Sequence, residues 1–171
     1  MPDPAVLTAG LFGERIRARA GSGEIAAVRA AFPQGFLAMQ FAAALGDDAT
    51  LAGIAAALAR SAAGRGIVFF RAGAAPWHDD FEMYRRAAAR LPGARLFESL
   101  DIWDICALIA SGAGFAGSSL HGRIVAEAFG VPVLDGIVPA GPKVAAWRDT
   151  WDGRDVVAEC RAMFSAWPLS R

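Results

Sequence analysis

The stretch GAGFAGSSLHGRIVAEAFGVPVLDG, Gly112–Gly136, decides the fold, because it divides into strand and helix in two incompatible ways. In the first, Gly112, Gly114 and Gly117 spell GxGxxG, and Asp135 stands about where a ribose-binding acid follows a dinucleotide fingerprint. That fingerprint needs a strand directly ahead of its first glycine, because its glycines form the turn into the phosphate-binding helix. The residues ahead are DIWDICALIAS, in which Asp101 is a good N-cap and Ile102, Ile105, Leu108 and Ile109 recur at helical spacing. A helix there puts the glycines on the wrong side of their strand. The motif also stands late in the chain, whereas the fingerprint normally opens a nucleotide domain. A nicotinamide or flavin protein survives only if residues 103–110 form a strand and Asp135 meets a ribose.

In the second division AGFAG is the strand, Ser118 or Ser119 caps the helix SLHGRIVAEAF, Gly130 stops it, and VPVLD is the next strand. The first-turn N–H groups and the helix dipole then face the cleft and form an anion site for a phosphate or carboxylate. His121, one of two histidines in the chain, stands in that turn. Beside an anion it can protonate a leaving oxygen or accept a hydroxyl proton. Gly122 leaves room for close approach of a ligand or of backbone. Capping and packing alone also account for a serine and a histidine in these places.

Working outward, residues 35–171 alternate short apolar runs with helical segments, and residues 1–34 form a lead-in segment, helical in part, with Arg15, Arg17, Arg19 and Arg29 among Gly and Ala. GFLAMQFA reads as a strand, and DDATLAGIAAALARSAAG as a helix capped by Asp47 or Asp48. GIVFFR is a continuous apolar run of the kind buried on both faces of a parallel sheet. Asp79 and Glu82 make a possible capping box for FEMYRRAAARL; ARLFE is a short strand, and the tail reads as one or two closing helices. The expected fold is α/β: one lobe with a parallel sheet of about five strands and helices on both faces. Such sheets bind ligands at the carboxyl ends of their strands, so function belongs in the loops after Phe41, Arg71, Phe97, Gly117 and Leu134.

The chain has 171 residues, 55% of them hydrophobic, which suits one domain with a proper core. Its 17 basic and 17 acidic residues balance, so no broad basic face for nucleic acid or an anionic membrane is expected. Cys106 and Cys160 form no CxxC or Cys/His cluster, and read as buried thiols of a reducing compartment. MPDPAVLTAG lacks the charged and apolar regions of a signal peptide, and no run matches a membrane span. A soluble cytoplasmic protein is expected.

The run DIWDICALIASGAGFAGSSLHGRIVAEAFGVPVLDG, followed by PKVAAW, resembles the carboxyl-terminal part of the polysaccharide pyruvyl transferase family. Its members carry Ser-(Arg or Ser)-Leu-His-(Gly or Ala), then a helix, Gly-Val-Pro and a nearby Lys. Here these positions are Ser118, Ser119, Leu120, His121, Gly122, Gly130, Val131, Pro132 and Lys143. FFRAGAAPWHDD is also similar to the family's strand and loop, so the resemblance spans roughly residues 35–150. It implies a single Rossmann-like lobe, similar to one half of a GT-B fold. It further implies a transferase that moves a pyruvyl group from phosphoenolpyruvate onto sugar hydroxyls of a surface polysaccharide, forming a ketal, with no cofactor and no metal. His121 would be the general acid or base, and the serine-capped helix end would hold phosphate or carboxylate.

Two departures stand out. The arginine many members carry before Leu-His is Ser119 here, which removes a bidentate anion ligand. Arg71 or Arg123 are possible replacements, although Arg123 is placed to pair with Glu127 on an exposed face. The length also matches one lobe, so a second lobe from another chain or a homodimer would be needed to cover the cleft. The competing readings are a non-catalytic binding or assembly module, or a lobe that binds a sugar nucleotide.

Further candidates share the same sheet edge. His78 follows the strand that ends at Arg71, and is either a ligand contact or a loop residue beside a capping aspartate. Arg71 binds an anion or pairs with a neighbouring acid, and Lys143 binds phosphate or is an ordinary surface lysine ahead of a helix. Asp79, Asp80, Asp101 and Asp104 read as caps rather than metal ligands, and Trp147 and Trp151, four apart, as packing residues.

Overall fold

Phe36–Gln40 (β1) is buried at all five positions, as an apolar run must be when both faces of a sheet are covered. Side chains alternate along it. Phe36 and Ala38 enter one core cluster, and Leu37 and Met39 the other. The computed structural model describes residues 2–21, 23–73 and 79–165. Beside β1 lie Gly66–Phe70 (β2), Arg95–Phe97 (β3) and Gly114–Gly117 (β4), all parallel, in the order β3-β2-β1-β4.

The helices follow from that order. Asp48–Ser61 (α3) and Phe81–Ala88 (α4) join β1 to β2 to β3 and bury Leu51, Ile54, Leu58, Met83 and Tyr84 on one face. Ile102–Ser111 (α5) and Leu120–Ala128 (α6) cover the other face, with Ile105, Leu108, Val125 and Ala126 in its core. Thr8–Arg19 (α1) and Gly23–Ala31 (α2) pack into that same core through Ile16, Ile25 and Val28. Pro4–Leu7 form a 3-10 turn whose Val6 joins a third cluster with Ile124, Trp147 and Cys160. Pro142–Trp151 (α7) and Val156–Ser165 (α8) supply the last two of these residues.

Residues 103–110 are helical, with the Asp101 carboxylate accepting from the N–H groups of Trp103 and Asp104. The strand that a dinucleotide fingerprint requires is therefore missing from its place, and AGFAG and SLHGRIVAEAF divide into strand and helix as in the second division.

The sheet has four strands rather than the expected five. VPVLD runs beside β4 but makes a single bridge, Phe115 to Val133. The Phe115 N–H donates to Pro132 O and the Leu134 N–H to Phe115 O. Pro132 has no N–H for a ladder, and the backbone turns away at Gly136, where φ is +82°.

Among the described residues no helix is long and apolar enough to cross a membrane.

Candidate functional site

The strand order reverses between β1 and β4. β1 leads through α3 toward β2 on one face, and β4 is reached through α5 on the other, so the carboxyl ends of these two strands open a crevice. Gln40 and Gly117 are partners in register at that point. The two strand ends are then tied together: the Ser118 N–H donates to Gln40 O at 3.1 Å, and the Ala42 N–H donates to Ser118 Oγ at 2.9 Å. Gly117 permits this closeness, because a Cβ there would lie 2.4 Å from Gln40 O.

Ser119 is the cap of α6. Its backbone is extended (φ −78°, ψ 120°), and its Oγ accepts from the Gly122 N–H at 3.1 Å. The N–H groups of Leu120 and His121 precede the first intrahelical donor, the Arg123 N–H that reaches Ser119 O, so the positive end of the helix dipole opens here. A cleft of about 580 Å³ lies against this end, lined by Gln40, Asp79, Ser118, Ser119, His121 and Lys143 among others. Four of the sequence candidates, Ser118, Ser119, His121 and Lys143, thus meet in one cleft, with Lys143 delivered by the first turn of α7.

The other candidates stand elsewhere. Gly122 is buried, and a Cβ on it would lie 2.8 Å from Phe115 Cζ, so close packing of α6 on β4 accounts for the glycine. Arg71 is outside the cleft lining: its guanidinium stacks over Phe81 at 4.9 Å, and Nη2 donates to Glu98 O at 3.4 Å. Its Nε is buried without a hydrogen-bond partner among the described residues. His78 lies outside the described residues. Arg123 is only 7% exposed, so its face is buried rather than solvated. It donates to Glu127 at 2.7 Å and to Asp135 at 2.9 Å. Burial opposes its charge, but the two carboxylates outweigh it and hold the guanidinium above its ordinary value. The Asp135 carboxylate, taken by Arg123 and by Arg148 at 3.5 Å, serves the packing of α6 and α7.

Three residues of the site, Asp79, Gln40 and Asp3, are not assigned to it by the sequence. Asp79 does not cap α4; Asp80 does, through the Glu82 N–H. Asp79 instead accepts from the Ala72 and Gly73 N–H groups at 2.8 and 3.1 Å and from Gln40 Nε2 at 2.7 Å, fastening the loop after β2 to the end of β1. Gln40 is 5% exposed and its Oε1 has no partner among the described residues. A glutamine closing an otherwise apolar strand was the available signal. The third is Asp3, whose Oδ2 lies 3.2 Å from His121 Nε2. A separation of 118 positions leaves no local pattern to find it by.

Tyr84 supports the site from below. Its hydroxyl donates to Phe41 O at 2.9 Å and accepts from the Phe41 N–H at 3.1 Å, with Asp79 Oδ1 3.3 Å away. Burial first, then the Asp79 charge, pushes the phenol well above its ordinary value.

A second cavity of about 550 Å³ lies past Gly117, between α3 and the loop of residues 133–140, with Arg60 and Arg148 at its margin. Among the described residues no cluster of His, Cys, Asp or Glu could hold a metal ion. Cys106 and Cys160 are both buried and unlinked. Compared with protein-family models and with curated proteins, the chain matches none.

Proposed function

We propose that this chain is a pyruvyl-transferase-like lobe that binds phosphoenolpyruvate at the α6 end of the cleft and serves ketal formation on a sugar of a surface polysaccharide. The observation that carries the reading is the meeting of the capped α6 N-terminus, His121 and Lys143 in one cleft at the strand-order reversal. The ligand has two anionic groups. The helix end suits one of them, and the Lys143 ammonium is a point charge for the other.

The chemistry asks little of the protein beyond positioning and proton transfer. Two acceptor hydroxyls add to C2 of phosphoenolpyruvate, and the C2–O bond to phosphate breaks. One hydroxyl proton ends on the methylene carbon, making a methyl group, and the other leaves with phosphate. His121 is the group that relays the proton between hydroxyl and phosphate oxygen. The reading is tested by phosphate release from phosphoenolpyruvate in the presence of candidate saccharides. His121→Ala should lower the rate by roughly 100-fold or more. Equal rates for wild type and His121→Ala sink the reading.

A second reading is favoured by one observation: the His121 side chain is 74% exposed, so the outer side of the cleft is wet. Catalysis benefits from excluding water while charge develops. On this reading the chain is a binding module that gains turnover only when a second lobe covers the carboxyl edge of the sheet.

A further inference from the structure

Asp3 and His121 stand 118 positions apart, yet their side chains meet: Asp3 Oδ2 lies 3.2 Å from His121 Nε2. The contact is built from both sides. The other oxygen of the carboxylate, Oδ1, accepts from the Ala5 N–H at 2.9 Å, so the group is held in place as the cap of the 3-10 turn Pro4–Leu7. That turn is fixed in turn by Val6, packed with Ile124 of α6. His121 is held at its base by the first turn of α6, whose cap is Ser119. A charged carboxylate only accepts hydrogen bonds. A bare ring nitrogen would set its lone pair against the carboxylate oxygen at 3.2 Å, so the nitrogen facing Asp3 favours its protonated form, and His121 also lines the cleft.

We propose that Asp3 is a positioning residue: it fixes His121 as the Nε2–H tautomer, so that Nδ1 is the nitrogen that exchanges a proton with a ligand in the cleft. Nε2 keeps its proton throughout, in the neutral ring and in the imidazolium alike, and only Nδ1 alternates between lone pair and N–H. The inference deepens the proposed function and rests on its assignment of proton transfer to His121, but its geometry stands apart from any one substrate.

The tautomer is read directly by nitrogen NMR of the full chain with labelled histidine, the ring being neutral. The signals are assigned by their loss in His121→Gln. The two ring nitrogens have well separated shifts according to which carries the proton. Wild type should show protonated Nε2 and bare Nδ1. Asp3→Asn is the informative variant because an asparagine keeps the cap: its Oδ1 still accepts from the Ala5 N–H, and its amide nitrogen, a donor, then faces Nε2. The tautomer should therefore invert, with Nε2 bare and Nδ1 protonated, while Asp3→Glu should return toward the wild-type pattern. Inorganic phosphate added to wild type should move the Nδ1 signal more than the Nε2 signal. A mixed or Nδ1–H tautomer in wild type, an unchanged tautomer in Asp3→Asn, or a phosphate response at Nε2 or at neither nitrogen would each overturn the proposal. Phosphate release from phosphoenolpyruvate is measured in parallel. If wild type releases none while the tautomer inverts and Nδ1 responds to phosphate, the transferase reading fails and the role of Asp3 stands. If wild type turns over, Asp3→Asn should lower kcat about tenfold with KM for phosphoenolpyruvate little changed. A change confined to KM would count against positioning.

Discussion

Gly117 carries more of the site than its lack of a side chain suggests. Its Cα faces Gln40 O so closely that a methyl group would lie 2.4 Å from that oxygen and 2.9 Å from Phe115 Cζ. Neither neighbour can yield, one being backbone of the central strand and the other a fully buried ring. Gly117→Ala should therefore cost about 2–3 kcal/mol by overpacking, read as a lower denaturant midpoint at unchanged slope. A loss below about 0.5 kcal/mol would mean that the β1–β4 register is looser than described. At the surface, the Asp48 carboxylate is held below its ordinary value, first by the hydrogen bond and charge of Arg86 and then by Arg90. A depressed carboxylate contributes stability above its unfolded value of about 3.9 and loses it as pH falls through the lower folded value. Asp48→Asn should thus be less stable than wild type near pH 6, and the two should converge in acid; a gap that widens below pH 4 would contradict the pairing.

Tyr84 links two elements, since one hydroxyl satisfies both the N–H and the C=O of Phe41 where β1 ends. Tyr84→Phe leaves both groups buried without that partner and should cost about 1–3 kcal/mol. It should also weaken anion binding, because Asp79, which holds the neighbouring loop, loses a contact to the same hydroxyl. Unchanged melting and unchanged phosphate binding in this variant would show that the link is dispensable. The same scale shows what the sequence made legible. DIWDICALIAS reads as a helix because its apolar residues keep a 3.6-residue period behind a capping aspartate, and α5 is there. AGFAG and SLHG were separated by the same logic, which put β4 and α6 in place. VPVLD misled because its composition is that of a strand, while pairing also needs N–H groups in sequence, and Pro132 removes one. Asp79 and Asp80 are neighbours of one chemical type, so only the path of the backbone decides which caps the helix and which turns back to Gln40. The spacing of Arg123 to Glu127 reads as an exposed pair, whereas the guanidinium is buried with a second partner, Asp135, twelve positions away. Local periodicity carried the frame; contacts across the chain, Asp3 with His121 above all, were beyond it.

For the whole molecule the question is what an open carboxyl edge can do. A ligand that binds only the folded state adds about 1.4 kcal/mol at ten times its dissociation constant, or roughly 3–5 °C in Tm for a domain of this size. Phosphate or phosphoenolpyruvate should give such a gain, and Lys143→Ala should reduce it without altering the ligand-free Tm, because Lys143 is exposed. An equal gain in both proteins would put the anion elsewhere, with the cavity beside Arg60 and Arg148 the first place to look. The third cluster has a consequence of another kind. Val6 is packed against Ile124, Trp147 and Cys160, so the turn Pro4–Leu7 and α8 close on each other across most of the described residues. During synthesis, at roughly 5–20 residues per second, Val6 waits on the order of ten seconds for Cys160 to leave the ribosome. Through that interval the β1–β4 sheet can already form, while Asp3 has no settled place beside His121. The nascent chain is thus a folded scaffold with an unfinished site, and the contacts that seat the turn Pro4–Leu7 beside the histidine are complete only once α8 has been made.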